Sequence, residues 1–200
     1  MDLIPTPSQT VGPFFDFCLT THGNCTPVIA GPHAKGQHIR LVCGVFDGAG
    51  AILDDAMIEI WQADANGKYP HPDDPQEKTL DLAFRGFGRM GTGQDGMCEF
   101  ETVKPGRVPG PEGLQAPHLN LAVFARGMLK QLYTRVYFAG DPGNTEDPIL
   151  ALVPRERRET LMAHPDAPHP DSAEPDSAKH GVWRFDIHLQ GENETAFFDV

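Results

Sequence analysis

Glycine and proline interrupt this chain at short intervals, 21 and 19 of its 200 residues, and between them lie brief apolar runs with a period of two. Interruptions that frequent leave little room for long helices, because either residue weakens or breaks a helix interior. The runs read instead as strands. One covers 39–46 and is stopped by Asp47-Gly48-Ala49-Gly50. In the next, 56–62, Ala56, Ile58 and Ile60 take one face while Met57, Glu59 and Trp61 take the other. Further strands are expected over 97–103, 118–126, 132–138 and 183–190, with 195–200 closing a hairpin after Gly191-Glu192-Asn193. Residues 155–163, following Pro154, form the best helix candidate, and 70–94 and 164–179 read as loops. This pattern predicts an all-β fold, a β-sandwich of mostly antiparallel strands with long loops and one or two short helices. Residues 1–37 lack periodicity and read as an arm that lies on another surface, with 38–200 as a single sandwich domain.

Charge removes several classes of function. The formal net charge is −12, with only 16 Lys and Arg. That excludes a polyanionic partner such as nucleic acid, which needs clustered positive charge. Met1-Asp2-Leu3-Ile4-Pro5 has neither the basic start nor the apolar core of a signal peptide, and no run approaches the roughly 20 apolar residues of a membrane span. A cytoplasmic chain is expected. Cys18, Cys25, Cys43 and Cys98 make no CxxC pair, which suits free thiols in a reducing compartment.

The residues offer few familiar anchors for chemistry. GxGxxG, P-loop, GxSxG and HExxH patterns are all missing. In Ala116-Pro117-His118-Leu119-Asn120-Leu121, a strand would project His118 and Asn120 from one face, where two groups could share a metal. A neutral amide is a poor ligand for ferric iron, and an isolated histidine is more often a hydrogen-bonded structural group than a ligand. Tyr69, after the Asn66-Gly67 turn, could supply a phenolate or be a half-buried loop residue. Arg126 ends an apolar strand, as a surface charge or a carboxylate-binding group. The segment Thr10 to Phe14 could be packing or a lid over a nearby site.

Five phrases in order carry a more specific signal: Thr6-Pro7-Ser8-Gln9-Thr10-Val11-Gly12-Pro13, Ile60-Trp61-Gln62-Ala63-Asp64-Ala65-Asn66-Gly67, Thr102-Val103-Lys104-Pro105-Gly106, Ala116-Pro117-His118-Leu119-Asn120 and Arg184-Phe185-Asp186-Ile187. Together they resemble the intradiol ring-cleaving dioxygenases over nearly the whole chain. The resemblance implies a β-sandwich and a non-haem ferric ion held by two tyrosines and two histidines. Those four ligand positions fall on Tyr69, Val108, His118 and Asn120, and the arginine before the first histidine falls on Gln115. Two of the four ligand types are thus lost, as in the family's alpha-type subunits.

The resemblance therefore implies no metal on this chain, a homologous beta subunit that carries Fe(3+), and a higher-order hetero-oligomer. It also implies that Thr10, Gly12, Pro13, Phe14 and Arg126 help line the beta subunit's substrate pocket, where protocatechuate and O₂ react. Phe14 stands where the family often has tyrosine. Two other readings stay open: a self-sufficient metalloenzyme that recruits a further ligand such as His71, or a β-sandwich binding module without catalysis.

Overall fold

The computed structural model describes residues 10, 12, 18–20, 23–166 and 181–199. Ten strands lie among them: β1 (His38–Phe46), β2 (Met57–Gln62), β3 (Phe87–Gly91), β4 (Met97–Val103), β5 (Val108–Gly110), β6 (Gly113–Gln115), β7 (His118–Phe124), β8 (Leu132–Phe138), β9 (Met162–Asp166) and β10 (Gly181–His188). Eight of them join in the order β3-β2-β7-β8-β9-β10-β1-β4, and β5 and β6 form a separate small hairpin. β9 folds the eight-stranded ladder into two layers. Its Met162 and Ala163 run parallel to Tyr137 and Phe138 of β8, and its next three residues run antiparallel to β10. The expected all-β sandwich is therefore the observed class, with parallel pairings at β1–β10 and β8–β9.

Period-two alternation fills the space between the layers. Ile58, Ile60, Leu119, Leu121, Val123, Val136 and Phe138 come from one side, and Leu41, Cys43, Val45, Phe100, Phe185 and Ile187 from the other. Full burial of each large side chain contributes about 1.5–3 kcal/mol before entropy is counted. One polar side chain bridges the layers. Gln62 of β2 is fully buried, donates to the carbonyl of Val103 at 3.0 Å and accepts from the Thr102 hydroxyl at 2.8 Å, both on β4. Ile29, Ala30 and Ala34, which precede β1, are also part of this core.

Three expectations needed revision. The strand β3 lies inside the stretch read as loop. Its pattern is obscured by Gly88, where a Cβ would sit 2.7 Å from the Ile29 side chain. The helix candidate forms a 3-10 turn over Arg155–Leu161, and Met162 and Ala163 leave it to pair with β8. The closing hairpin forms only at its turn, where Thr195 donates to the His188 carbonyl at 2.9 Å, and does not continue as a ladder. Phe198 donates instead to the Tyr133 carbonyl at 2.8 Å, using the start of β8 that β9 leaves open. The helix α1 (Pro148–Leu152) was not anticipated; Asp147 caps it and proline opens it. Within the loop read over 164–179, residues 164–166 belong to β9 and the rest lie outside the described residues. No helix among the described residues is long and apolar enough to cross a membrane.

Candidate functional site

The outward face of the β2-β7-β8 layer gathers most of the polar side chains singled out by sequence. β7 turns His118 and Asn120 to this face, β2 adds Trp61, and β8 adds Arg135 and Tyr137. Two turns beyond the strands complete it. In the first, the buried Asp64 accepts from the backbone N–H groups of Asn66 and Lys68, each at 2.9 Å, and shapes the Asn66-Gly67 turn. In the second, Gly106 donates to the Asp64 carbonyl at 2.9 Å, and a Cβ there would lie 2.6 Å from the Ala65 oxygen and the Gly67 nitrogen. Only a glycine lets the two turns touch, and their contact brings Tyr69 and Val108 to one cavity.

That cavity is open, about 480 Å³, and lined by Trp61, Tyr69, His71, Val108 and a loop from Asp73 to Gln76. Tyr69 stacks on Trp61 with ring centroids 6.0 Å apart, and its backbone N–H donates to Asp74 at 2.8 Å. Burial alone would raise the Asp74 carboxyl, but N–H groups of Gln76 and Tyr69 and the Lys68 ammonium hold it down to about 2. Burial also pushes the Tyr69 phenol up, partly opposed by a hydrogen bond from Asn120 and the nearby charge of Arg135. A tyrosine in that state is a neutral phenol rather than a ready anionic ligand.

His118 is 3% exposed and donates from Nδ1 to the Ala116 carbonyl at 2.8 Å, which leaves Nε2 as its lone-pair nitrogen. Burial first, and the Arg135 charge second, depress its pKa to about 4. The unfolded chain therefore binds a proton below pH 6.5 that the folded chain refuses until about pH 4. Stability from this group is complete above pH 6.5 and is lost as pH falls towards 4, by up to about 3 kcal/mol. Urea titrations from pH 7 to pH 4.5 are expected to show this slope, flattened in His118→Gln. An unchanged slope in the variant would remove His118 as its source.

The remaining positions show why a ferric ion does not fit these residues as they stand. Val108 is buried and offers no donor atom. Asn120 spends its amide on the Trp61 carbonyl and the Tyr69 hydroxyl, each at 3.4 Å. Gln115 accepts from Arg135 at 2.9 Å. His71 sits edge-on to Trp61, half exposed, and its Nδ1 accepts from the Asp73 N–H at 3.2 Å. Among the described residues no group of three or more His, Cys, Asp or Glu side chains could hold a metal.

Arg126 is not part of this cluster. It lies in the turn that follows β7, two residues beyond the last strand residue, Phe124. Its side chain is 82% exposed and paired with Asp55. Thr10 and Gly12 are exposed, while Pro13 and Phe14 lie outside the described residues. Sequence reasoning missed Arg135. The signal was available, because alternation along 132–138 places Tyr133, Arg135 and Tyr137 on one face, but no familiar motif marked them.

Known proteins resemble this chain in sequence and in fold. The family described as dioxygenase matches residues 12–191. The chain is 46% identical to the protocatechuate 3,4-dioxygenase alpha chain of Burkholderia cepacia, over 98% of this chain and 97% of that one. It is 32% identical to the beta chain of the same name from that organism, over 80% of this chain and 67% of the other. Among solved structures, the dioxygenase domain of a carbohydrate-binding fusion protein from Streptomyces sp. SirexAA-E aligns with a TM-score of 0.60 and 25% identity, over 94% of this chain and 99% of that one.

Proposed function

The chain belongs to the intradiol ring-cleaving dioxygenases, and from that premise we propose that it acts as the alpha-type subunit of a protocatechuate 3,4-dioxygenase. The assembled enzyme opens the ring of protocatechuate between its two hydroxyl-bearing carbons, inserting both atoms of O₂ to give 3-carboxy-cis,cis-muconate. The ferric ion that supports this chemistry is carried by a homologous beta partner, not by this chain. One observation carries the assignment: the chain keeps Tyr69 and His118 of a four-ligand set but has Val108 and Asn120 at the other two positions. A single phenol and a single imidazole give a ferric ion too few donors and too little negative charge.

What this chain adds is reach across the subunit interface. The N-terminal arm, residues 1–37, is held to this chain at Ile29, Ala30 and Ala34, and its contribution is to the partner. There Thr10, Gly12, Pro13 and Phe14, together with Arg126, complete the partner's substrate pocket. The exposure of Thr10, Gly12 and Arg126 on the free chain supports that role. The assembly works in the cytoplasm, where four free cysteines, two of them facing each other across β1 and β4, are at home.

Iron content and visible absorbance test this reading. The chain purified alone is expected to be colourless, iron-free and inactive. Co-purified with its beta partner it is expected to form a coloured complex that consumes protocatechuate and O₂. Stoichiometric ferric iron with a tyrosinate charge-transfer band on the isolated chain would overturn the assignment.

A further inference from the structure

The outward face of β7 and β8 carries a cation that the functional reading does not use. Arg135 stands directly across the strand pair from Asn120, and its neighbours in the ladder are the pair His118 and Tyr137. Cross-strand partners of this kind hold their Cβ atoms about 5 Å apart. The guanidinium thus lies near the Tyr69 and His118 side chains, and with Asn120 and Trp61 it lines an adjoining open cavity of about 430 Å³. It donates to Gln115 at 2.9 Å and approaches the Tyr137 hydroxyl at 3.5 Å, both uncharged groups. Among the described residues no carboxylate forms an ion pair with it. In a chain of net charge −12, a half-buried arginine left without an acidic partner is a costly feature, and it stands across the strand pair from Asn120, one of the positions matched to the family's iron ligands. Its charge is felt by the Tyr69 phenol on one side and the His118 ring on the other.

We propose that Arg135 is the resident cation beside Tyr69, His118 and Asn120 and bars a ferric ion from these positions independently of the missing ligands. Two positive centres within a few ångströms repel strongly wherever water is partly excluded. Arginine suits the task because its guanidinium stays protonated at any working pH and cannot yield its charge to make room. The position also accounts for Gln115. A second arginine there would face Arg135, whereas the amide oxygen accepts its hydrogen bond. Loss of Val108 and Asn120 as donors removes the attraction for iron, and Arg135 supplies the repulsion, so restoring donors alone does not restore the site.

This inference rests on the assignment of the chain as an iron-free subunit, and the experiment separates the two. The full chain is prepared as wild type, as Val108→Tyr/Asn120→His, and as that pair combined with Arg135→Gln. Ferric iron per chain, visible charge-transfer absorbance and thermal unfolding are read for each. The ligand-restored double variant is expected to stay colourless, and the triple variant to bind close to one iron, with affinity higher by about a hundredfold as expected for removing a close like charge. A double variant that binds iron as well as the triple would overturn the role of Arg135 while leaving the iron-free assignment intact. A folded triple variant that still refuses iron would overturn it as well. Iron on the wild type would instead overturn the assignment. If tyrosine at position 108 prevents folding, Asn120→His is compared with Asn120→His/Arg135→Gln by Co²⁺ titration. Removal of the arginine is expected to tighten Co²⁺ binding by about tenfold or more, and equal affinities would sink the proposal.

Discussion

Asp147→Ala is expected to destabilise the isolated chain by about 3–5 kcal/mol, the largest stability loss from any single polar substitution near the cavity. Asp147 is 1% exposed, and its carboxylate accepts from Ala116 N at 2.7 Å, Ile149 N at 2.9 Å, Leu150 N at 2.7 Å and the Tyr137 hydroxyl at 3.2 Å. Alanine would orphan all of these donors at once. The lost cap on α1 accounts for about 1 kcal/mol, and the unsatisfied buried donors for the rest. Asp147→Asn keeps an oxygen for the helix but presents an NH₂ group to one of the other donors, so an intermediate loss of about 1–2 kcal/mol is expected. Urea denaturation of the three proteins measures the series. A loss below about 1 kcal/mol for alanine would show that water re-satisfies the donors. The consequence reaches the cavity, because the Ala116 N–H that Asp147 holds lies two residues before His118.

In the assembled enzyme, Arg126→Ala is expected to raise KM for protocatechuate by about 10- to 100-fold, the range for one charge-assisted hydrogen-bonded contact to a carboxylate. Catechol has no carboxylate, and its KM is expected to change little. The guanidinium is free enough to make such a contact, since its partner Asp55 leaves it 82% exposed on the free chain. Steady-state kinetics on both substrates decide the matter. Equal rises for both would point to a disturbed interface, and no rise for either would remove Arg126 from the pocket.

How far the sequence was legible differs between the fold and the cavity. Strands 97–103 and 132–138 were readable to the residue, because alternation with apolar inward positions is strong there. β3 was hidden by its two glycines, which carry no side chain to show a pattern. The Arg155–Leu161 segment has good helix formers, yet its end is recruited as the strand that joins the two layers. Such pairing depends on a partner strand distant in sequence and overrides local propensity. Among the site positions, Tyr69, Val108, His118 and Asn120 were found through ordered family phrases, whereas Arg135 and Asp147 belong to no phrase.

The amino-acid sequence by itself determined the all-β class, the dioxygenase family and the loss of two ligand types, since alternation, turn residues and side-chain chemistry are local properties. Tertiary structure alone decided that Arg135 stands beside Asn120, that Gln115 accepts from it, and that Asp147 ties α1 to the strand bearing His118. Those contacts join residues up to 31 positions apart. The first exists only because strand pairing sets a register, and register is a property of two strands together rather than of either run of residues.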